Sequence, residues 1–256
     1  MENITLIAAT FRRPEIVIRL LNSIPKNINI IIINLSPDFK INYSRNNLSI
    51  IDYFQMPLTN ALNIGVKNAD KIYPNTKYYL LTDDDVIFNE YSIFDNFLEK
   101  ELNKKDTGLI GITRIINKIK IEQKLIYSSH VYKGGGWLIR KDVFHHIGGF
   151  TDNNSADEWD ICLKSYIKGY KNYRTKSCYA FHKQGTPKGG YKEAIKLNMN
   201  LGKADLYMSK YIDGEIKKIS SGYETIVTKK SKFNKLANEL HLKNNKILNS
   251  DSYKKY

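Results

Sequence analysis

The chain has 256 residues, a hydrophobic content of 42% and a formal net charge of +14 at pH 7. The length fits one domain, or one domain with an appendage, and the apolar content allows a sizeable core. No apolar run approaches the roughly 20 residues that span a bilayer, which argues against a transmembrane helix.

The N-terminal residues and the cysteines indicate a compartment. The chain begins without a basic segment, an apolar stretch or a small-residue cleavage site, so we expect no secretory signal. Cys162 and Cys178 are the only cysteines, and they lack the spacing of a metal site. We therefore expect a reduced, cytoplasmic setting.

The positive charge suggests an anionic partner: a nucleotide, a phospholipid surface or a nucleic acid. Lysine far outnumbers arginine, and asparagine and isoleucine are abundant. The same composition also arises from an AT-rich genome, in which case much of the charge is simply solvated.

In chain order, the first half alternates strand patterns with helix patterns. Apolar runs predict strands at 4–9, 29–35, 48–53 and 77–82. Helical spacing of apolar residues predicts helices that begin at Pro14, at Leu58 and near residue 91. This alternation predicts a parallel sheet with helices on both faces.

The second half predicts strands at 108–113 and 125–132, an extended run at 173–182, and helices at 141–147 and 157–166. After about residue 190 the composition changes, and residues 191–256 hold 14 lysines without arginine or proline. We predict a catalytic core over 1–190 and a basic, mostly helical extension over 191–256. The extension docks on an anionic bilayer, binds a nucleic-acid backbone, or is a solvated appendage.

Three consecutive aspartates, Asp83, Asp84 and Asp85, follow the apolar run at 78–82. Carboxylates placed side by side repel one another and are costly to desolvate. A divalent cation such as Mg²⁺, shared with substrate phosphates, explains the cluster, because ligands bind at the carboxyl ends of strands in open α/β sheets. The alternative is an aspartate-rich surface turn.

The order of motifs over residues 3–185 resembles the family 2 glycosyltransferases of the GT-A fold. The segments that carry the resemblance are 9–14 (ATFRRP), 63–65 (NIG), 83–85 (DDD), 135–140 (GGWLIR), 148–150 (GGF), 157–160 (DEWD) and His182. The resemblance implies an α/β fold with a GT-A-like, Rossmann-type mixed sheet flanked by helices.

The resemblance also implies a metal site. Asp83 and Asp85 match the outer positions of the family's Asp-x-Asp motif, with Asp85 on a Mn²⁺ or Mg²⁺ ion and Asp83 facing the ribose or the metal. His182 completes the metal shell in relatives with this pattern. We place Asp84 among the cofactor-binding residues and expect its side chain to point to the other side of the strand end.

The resemblance places the catalytic base at Glu158, with Asp157 as the alternative. A positioned carboxylate takes the proton from the acceptor hydroxyl as that hydroxyl attacks the donor. A structural role is also open, because Ser155 and Glu158 have the spacing of a capping box. We interpret Asp160 as structural or acceptor-binding.

For the donor, the resemblance places the nucleotide base and ribose near Thr10, Arg12 and Arg13, with a basic side chain meeting the diphosphate. Asn34 stands where relatives usually carry an aspartate that holds uracil. An amide also hydrogen-bonds a base, so we still expect a uridine nucleotide.

Further donor contacts are expected at Asn63, Gly135, Gly136 and Trp137. Asn63 belongs to a motif in which Leu62 replaces the family's arginine. The glycines permit close backbone approach and line the donor and acceptor cleft. Trp137 either stacks on a sugar ring or is buried.

Together these features predict a metal-dependent hexosyltransferase that moves a sugar, from a UDP-sugar, to an acceptor hydroxyl with inversion. The expected acceptor is a glycan or lipid-linked saccharide in surface polysaccharide biosynthesis, and the expected location is cytoplasmic, with peripheral contact at the inner face of a membrane. Two alternatives are a sugar transferase acting on modified DNA bases and a glycan- or nucleotide-binding module with a degenerate site.

Overall fold

The computed structural model describes residues 3–54, 56–88, 96–115, 125–127, 135–150, 157–182, 214–219 and 222–227. The strands are β1 (Ile4–Thr10), β2 (Asn29–Asn34), β3 (Leu48–Asp52), β4 (Tyr78–Asp83), β5 (Val86–Phe88), β6 (Thr107–Ile115), β7 (Leu125–Tyr127), β8 (Trp137–Arg140), β9 (Lys171–His182), β10 (Gly214–Ile219) and β11 (Gly222–Val227). The helices are α1 (Pro14–Ser23), α2 (Leu58–Ile72), α3 (Asn96–Leu102), α4 (Lys141–His146) and α5 (Asp157–Ile167).

The first nine strands form one mixed sheet. Across it the order is β3, β2, β1, β4, β8, β6, β9 and β5, and β7 also pairs with β9. The parallel pairing predicted for the first half is confirmed for β1 to β4. In the second half β8 runs antiparallel to β4 and β6, whereas β6 and β9 are parallel. The predicted mixed α/β fold is therefore confirmed.

Alternate residues of the central strands bury on opposite faces of the sheet. On one face Leu6 and Ile30 pack with Leu20 of α1. On the other face Ile7 and Ile31 pack with α2 and α4. Both faces of β1, β2 and β4 are covered, as the continuous apolar runs of buried parallel strands require.

A glycine sets the distance between α2 and the sheet. A Cβ atom at Gly65 would overlap the side chain of Ile7 on β1. The NIG motif at 63–65 therefore has a packing reason that is independent of any ligand: only glycine lets the helix approach the strand this closely.

Several predicted elements differ from the structure. The helix predicted over 91–102 is described from Asn96 to Leu102, and its first part lies outside the described residues. Val86–Phe88 forms a short strand that was not predicted. The 125–132 strand is described for Leu125–Tyr127 alone.

The basic extension was predicted to be mostly helical, but its described residues form an antiparallel hairpin of β10 and β11. The β-branched run at 225–227 and the glycines Gly214 and Gly222 favour strands over a helix here. The boundary predicted near residue 190 and the rest of the extension lie outside the described residues. No helix in the described part of the chain is long and apolar enough to cross a membrane.

Candidate active site

Polar residues end four neighbouring strands at one edge of the sheet. Thr10 of β1 lies opposite Asn34 of β2, and Asn34 lies opposite Asp52 of β3. Asp83 ends β4 next to Ala9 of β1. Adjacent strands are about 4.8 Å apart, so the row from Asp52 to Asp83 spans roughly 14 Å. This is the carboxyl edge of the parallel strands, where open α/β sheets bind ligands.

The middle aspartate of the triplet is the buried one. The side chain of Asp84 is 1% exposed. The hydroxyl of Thr10 donates to its Oδ2 at 2.6 Å, and Arg13 Nη2 donates to its Oδ1. Arg13 Nη1 also lies 3.5 Å from Asp85 Oδ2. The guanidinium therefore pairs with two adjacent carboxylates and joins the start of α1 to the end of β4.

Burial raises the pKa of Asp84 to about 7, with Asp85 and Asp83 acting in the same direction, whereas Arg13 and Thr10 oppose the shift. This pKa lies above the unfolded value of about 3.9, so the native state binds the proton more tightly. The contribution of this group to stability therefore falls as the pH rises from about 4 to about 7.

This placement differs from the expected donor contacts of Thr10 and Asp84. Both residues are almost fully buried, and the Thr10 hydroxyl and the Asp84 carboxylate form a hydrogen bond with each other. Asp84 uses both carboxylate oxygens on Thr10 and Arg13, which gives it a structural role at the strand end. The side chains of Asp83 and Asp85 keep part of their surface exposed.

Oxygen ligands at Asp83 and Asp85 fit a hard divalent cation. Among the described side chains, no group of three or more His, Cys, Asp or Glu residues is arranged to hold a metal ion. Mg²⁺ does not need such a group, because it is often bound by one or two carboxylates plus substrate phosphates. The backbone of His182 pairs with Val86, the residue after Asp85, while its imidazole lies outside the described part of the chain.

Arg12 and Arg13 serve opposite sides of the site. Arg12 has a φ of 56°, an uncommon left-handed conformation for a residue with a side chain. Its exposed guanidinium lies 5.1 Å from the ring centre of Phe11 and 5.8 Å from that of Phe39. The turn after β1 thus sends Arg13 towards the aspartates and Arg12 towards the loop that follows β2.

A pocket of about 280 Å³ opens beside Arg12. Its other lining residues are Leu35, Ser36, Pro37, Asp38, Phe39 and Phe54. Phe39 and Phe54 are two of the large hydrophobic side chains that the structure leaves exposed. Neither ring was predicted from the sequence as a site residue, and Asp52 was not predicted either. The signal available for Asp52 was its position at the end of a predicted strand.

The side-chain amide of Asn34 forms hydrogen bonds with other groups of the protein. Its Nδ2 donates to Asp52 Oδ1 at 2.8 Å and to the carbonyl of Phe39 at 3.3 Å. Its Oδ1 accepts from the backbone N–H of Ser36 at 3.2 Å, an Asx-type turn. With 2% exposure, Asn34 shapes the loop and orients Asp52.

Gly135 and Gly136 hold β8 close to the end of β4. At Gly136, φ is 122°, and a Cβ would meet the carbonyl of Leu81 at 2.8 Å. The carbonyl of Gly135 accepts from the hydroxyl of Thr82, immediately before the triplet. Trp137 is fully buried and packs on Phe150. Of the two roles predicted for its ring, the structure therefore shows burial and not stacking on a sugar.

Asn63 of α2 holds the backbone of Phe150. It donates to the carbonyl of Phe150 at 2.8 Å and accepts from the N–H of Phe150 at 3.0 Å. Lys164 of α5 donates to the carbonyl of Gly149 and pairs with the fully buried Asp160. These contacts tie residues 149–150 to α2 and to α5, the helix that carries Glu158, whose side chain is half-buried. The carboxyl group of Asp157 lies outside the described part.

No protein-family model matches the chain, and no curated protein does. Similar solved structures include residues 1–349 of TarS from S. aureus, with 15% identity and a TM-score of 0.55 over 71% of this chain and 60% of that one. The same protein in complex with UDP-GlcNAc gives 16% identity, a TM-score of 0.55 and coverage of 72% and 60%.

A third similar structure is the mannosyltransferase PcManGT from Pyrobaculum calidifontis in complex with GDP-Man and Mn²⁺. It shares 12% identity and a TM-score of 0.56 over 76% of this chain and 60% of its own. The chain thus spans about three-fifths of these structures. At such identities the likeness shows that they share a fold.

We expect Arg13→Leu to destabilise the protein most strongly above pH 7. The fully buried Asp84 carboxylate would lose its guanidinium partner, and breaking a buried pair costs about 3 kcal/mol. A protonated carboxyl needs no cation, so the cost should fall below the Asp84 pKa of about 7. Urea unfolding of both proteins between about pH 5 and about pH 8 measures this difference.

Arg12→Leu is the matched control, because Arg12 is exposed and its guanidinium lies over aromatic rings. Its effect on stability should be small and independent of pH. An equal cost of Arg13→Leu at both ends of the pH range would contradict the proposed charge pairing with Asp84.

Proposed function

We propose that this chain is a metal-dependent glycosyltransferase related to family 2. It transfers a sugar from a nucleotide-sugar, with a UDP-sugar as the expected donor, to an acceptor hydroxyl with inversion at the anomeric carbon. The acceptor is a glycan or lipid-linked saccharide. The lysine-rich extension contacts an anionic membrane surface, and Lys217 and Lys218 of β10 are among its cations.

The observation that carries this proposal is the difference in burial among the three consecutive aspartates. Asp84 is buried against Thr10 and Arg13, while the side chains of Asp83 and Asp85 are partly exposed at the carboxyl edge. An aspartate-rich turn that binds no ligand would not explain why a buried carboxylate is stabilised between two other carboxylates. A diphosphate-bound cation supplies that reason, because it neutralises the exposed pair.

The similar solved structures support this proposal through the ligands they contain. Crystal structures of TarS contain UDP-GlcNAc and UDP, and PcManGT is in complex with GDP-Man and Mn²⁺. UDP-GlcNAc, UDP and GDP-Man are all nucleotides or nucleotide-sugars. Their shared fold makes the carboxyl edge of this sheet the place to test for the same class of ligand.

In the proposed mechanism, Glu158 takes the proton of the acceptor hydroxyl. The hydroxyl oxygen forms a bond to the anomeric carbon, and the bond from that carbon to the phosphate oxygen breaks, leaving its electron pair on the nucleoside diphosphate. A divalent cation held by Asp83, Asp85 and His182 would supply Lewis-acid stabilisation of that leaving group. Asn63 and Lys164 tie the backbone of residues 149–150 to α2 and to α5, the helix that carries the base.

A donor screen tests the proposal directly. We expect release of nucleoside diphosphate from at least one nucleotide-sugar in the presence of Mn²⁺, with UDP-sugars the best donors, and no release in excess EDTA. Asp85→Asn should lower turnover about 10²-fold or more, because a charged cation ligand is removed. The melting temperature should stay close to that of the wild type, because the amide keeps an oxygen that can accept from Arg13.

Asp106→Asn is the control, since this exposed carboxylate pairs with Lys171 at the opposite end of β9. It should keep full turnover. Full activity of the wild type in EDTA, or of Asp85→Asn in Mn²⁺, would rule out the metal role.

The Glu158→Gln variant tests whether Glu158 acts as a catalytic base or only as a helix cap. Glutamine satisfies a capping box nearly as well as glutamate, so the melting temperature should hardly change. It cannot accept the acceptor's proton, so transfer should fall roughly 10²-fold or more. Donor binding should persist. Turnover and melting temperature are measured on the same preparation.

Asp160→Asn provides the contrast, because Asp160 is fully buried and pairs with Lys164. That variant should lower the melting temperature. A stable Glu158→Gln protein with near-normal transfer would leave Glu158 as a cap and make Asp157 the residue to test as base.

A further inference from the structure

Both ends of α1 hold the segment that follows β4. At the start of the helix Arg13 donates to Asp84, and at its end the hydroxyl of Ser23 accepts a hydrogen bond from the backbone N–H of Phe88 at 3.1 Å. Resting on the proposed function, we infer that Ser23 is a positioning residue for the cation site. By holding Phe88, it keeps Asp85 in place for the metal ion.

The first step concerns the hydroxyl of Ser23, a residue with only 8% exposure. The hydroxyl donates to the carbonyl of Leu20 at 2.7 Å, one of the carbonyls that the last turn of a helix leaves without an intrahelical partner. This bond fixes the hydroxyl proton, so the oxygen presents its lone pairs to the N–H of Phe88. The bond to Leu20 serves the end of α1, whereas the bond to Phe88 serves β5.

The second step compares two lengths. The helix α1 has 10 residues, so it is about 15 Å long. The segment from Asp84 to Phe88 covers at most about 13 Å, at roughly 3.3 Å per residue. One helix therefore reaches both ends of this segment, and Asp85 lies between the two attachments. A segment that is held at both ends moves less than one that is held at Asp84 alone.

The third step concerns β5, which ends at Phe88. Val86 and Phe88 are buried in the same core cluster as the apolar face of α1. The strand also pairs antiparallel with β9, where Val86 lies opposite His182. Residues opposite each other in such a pair have Cα atoms about 4.5 to 5.5 Å apart, so the register of β5 sets the distance from Asp85 to the backbone of His182. Ser23 holds the last residue of β5 and thereby maintains this register.

Binding of Mn²⁺ to the full chain tests the inference. It is measured with UDP present and, separately, with GDP present, from the free Mn²⁺ signal in electron paramagnetic resonance. Ser23→Ala should weaken Mn²⁺ binding about tenfold, as expected when a group that orients a metal ligand is removed. Ser23→Thr keeps the hydroxyl and should bind Mn²⁺ as the wild type does. Ser23→Cys has a similar volume and a weaker acceptor, and should weaken binding about threefold.

Thr5→Val is the matched control. Thr5 is fully buried near the start of β1, and its hydroxyl bonds to that of Thr76 at 2.7 Å, at the edge of the sheet opposite the aspartates. Thr5→Val and Ser23→Ala each remove one buried hydroxyl, so both should lower the melting temperature by about 2 to 4 °C. Only Ser23→Ala should weaken Mn²⁺ binding.

The transfer reaction gives a second readout. In Ser23→Ala the Mn²⁺ concentration for half-maximal transfer should rise about tenfold, whereas turnover at saturating Mn²⁺ should stay within about twofold of the wild type, because the metal ligands remain. Wild-type Mn²⁺ binding by Ser23→Ala or Ser23→Cys, equal weakening in Thr5→Val, or no recovery in Ser23→Thr would each overturn the inference while leaving the proposed function intact. If the wild type binds no Mn²⁺ with either nucleotide, both fail.

Discussion

The burial of one carboxylate between two others is the constraint on which the rest of the site depends. Asp84 cannot be desolvated alone, so the chain supplies Arg13 at the start of α1 and Thr10 at the end of β1. These contacts join segments more than 70 residues apart in sequence. Because they fix the turn after β4, they also determine where Asp83 and Asp85 are exposed. The most buried acid therefore organises the two whose side chains stay partly exposed.

The register of the parallel strands divides the carboxyl edge into two regions. Around β4, carboxylates and the nearby backbone of His182 suit a cation and phosphates. Around β2 and β3, Asn34 bonds to Asp52, and the exposed rings of Phe39 and Phe54 line the pocket of Arg12. The two arginines after β1 separate the regions, with Arg13 turned to one and Arg12 to the other.

Much of this fold follows from local pattern, whereas the roles within the site depend on tertiary contacts. Apolar runs and Pro14 predicted the first four strands and α1, because burial and backbone restriction act over short stretches. Which aspartate is buried depends on the contact between Arg13 and Asp84. The side chain of Asn34 is unavailable to a ligand because it bonds to Asp52 on the neighbouring strand. The hairpin of the extension was mistaken for helix because lysine-rich sequence has little periodicity to distinguish the two.

The most direct measurement of the central claim is a crystal structure of the protein with Mn²⁺ and the nucleoside diphosphate that binds best. The account predicts the diphosphate beside Asp85 at the carboxyl edge of β4, with Asp84 still paired with Arg13. A nucleotide bound elsewhere, with the carboxyl edge of β1 to β4 unchanged, would contradict it.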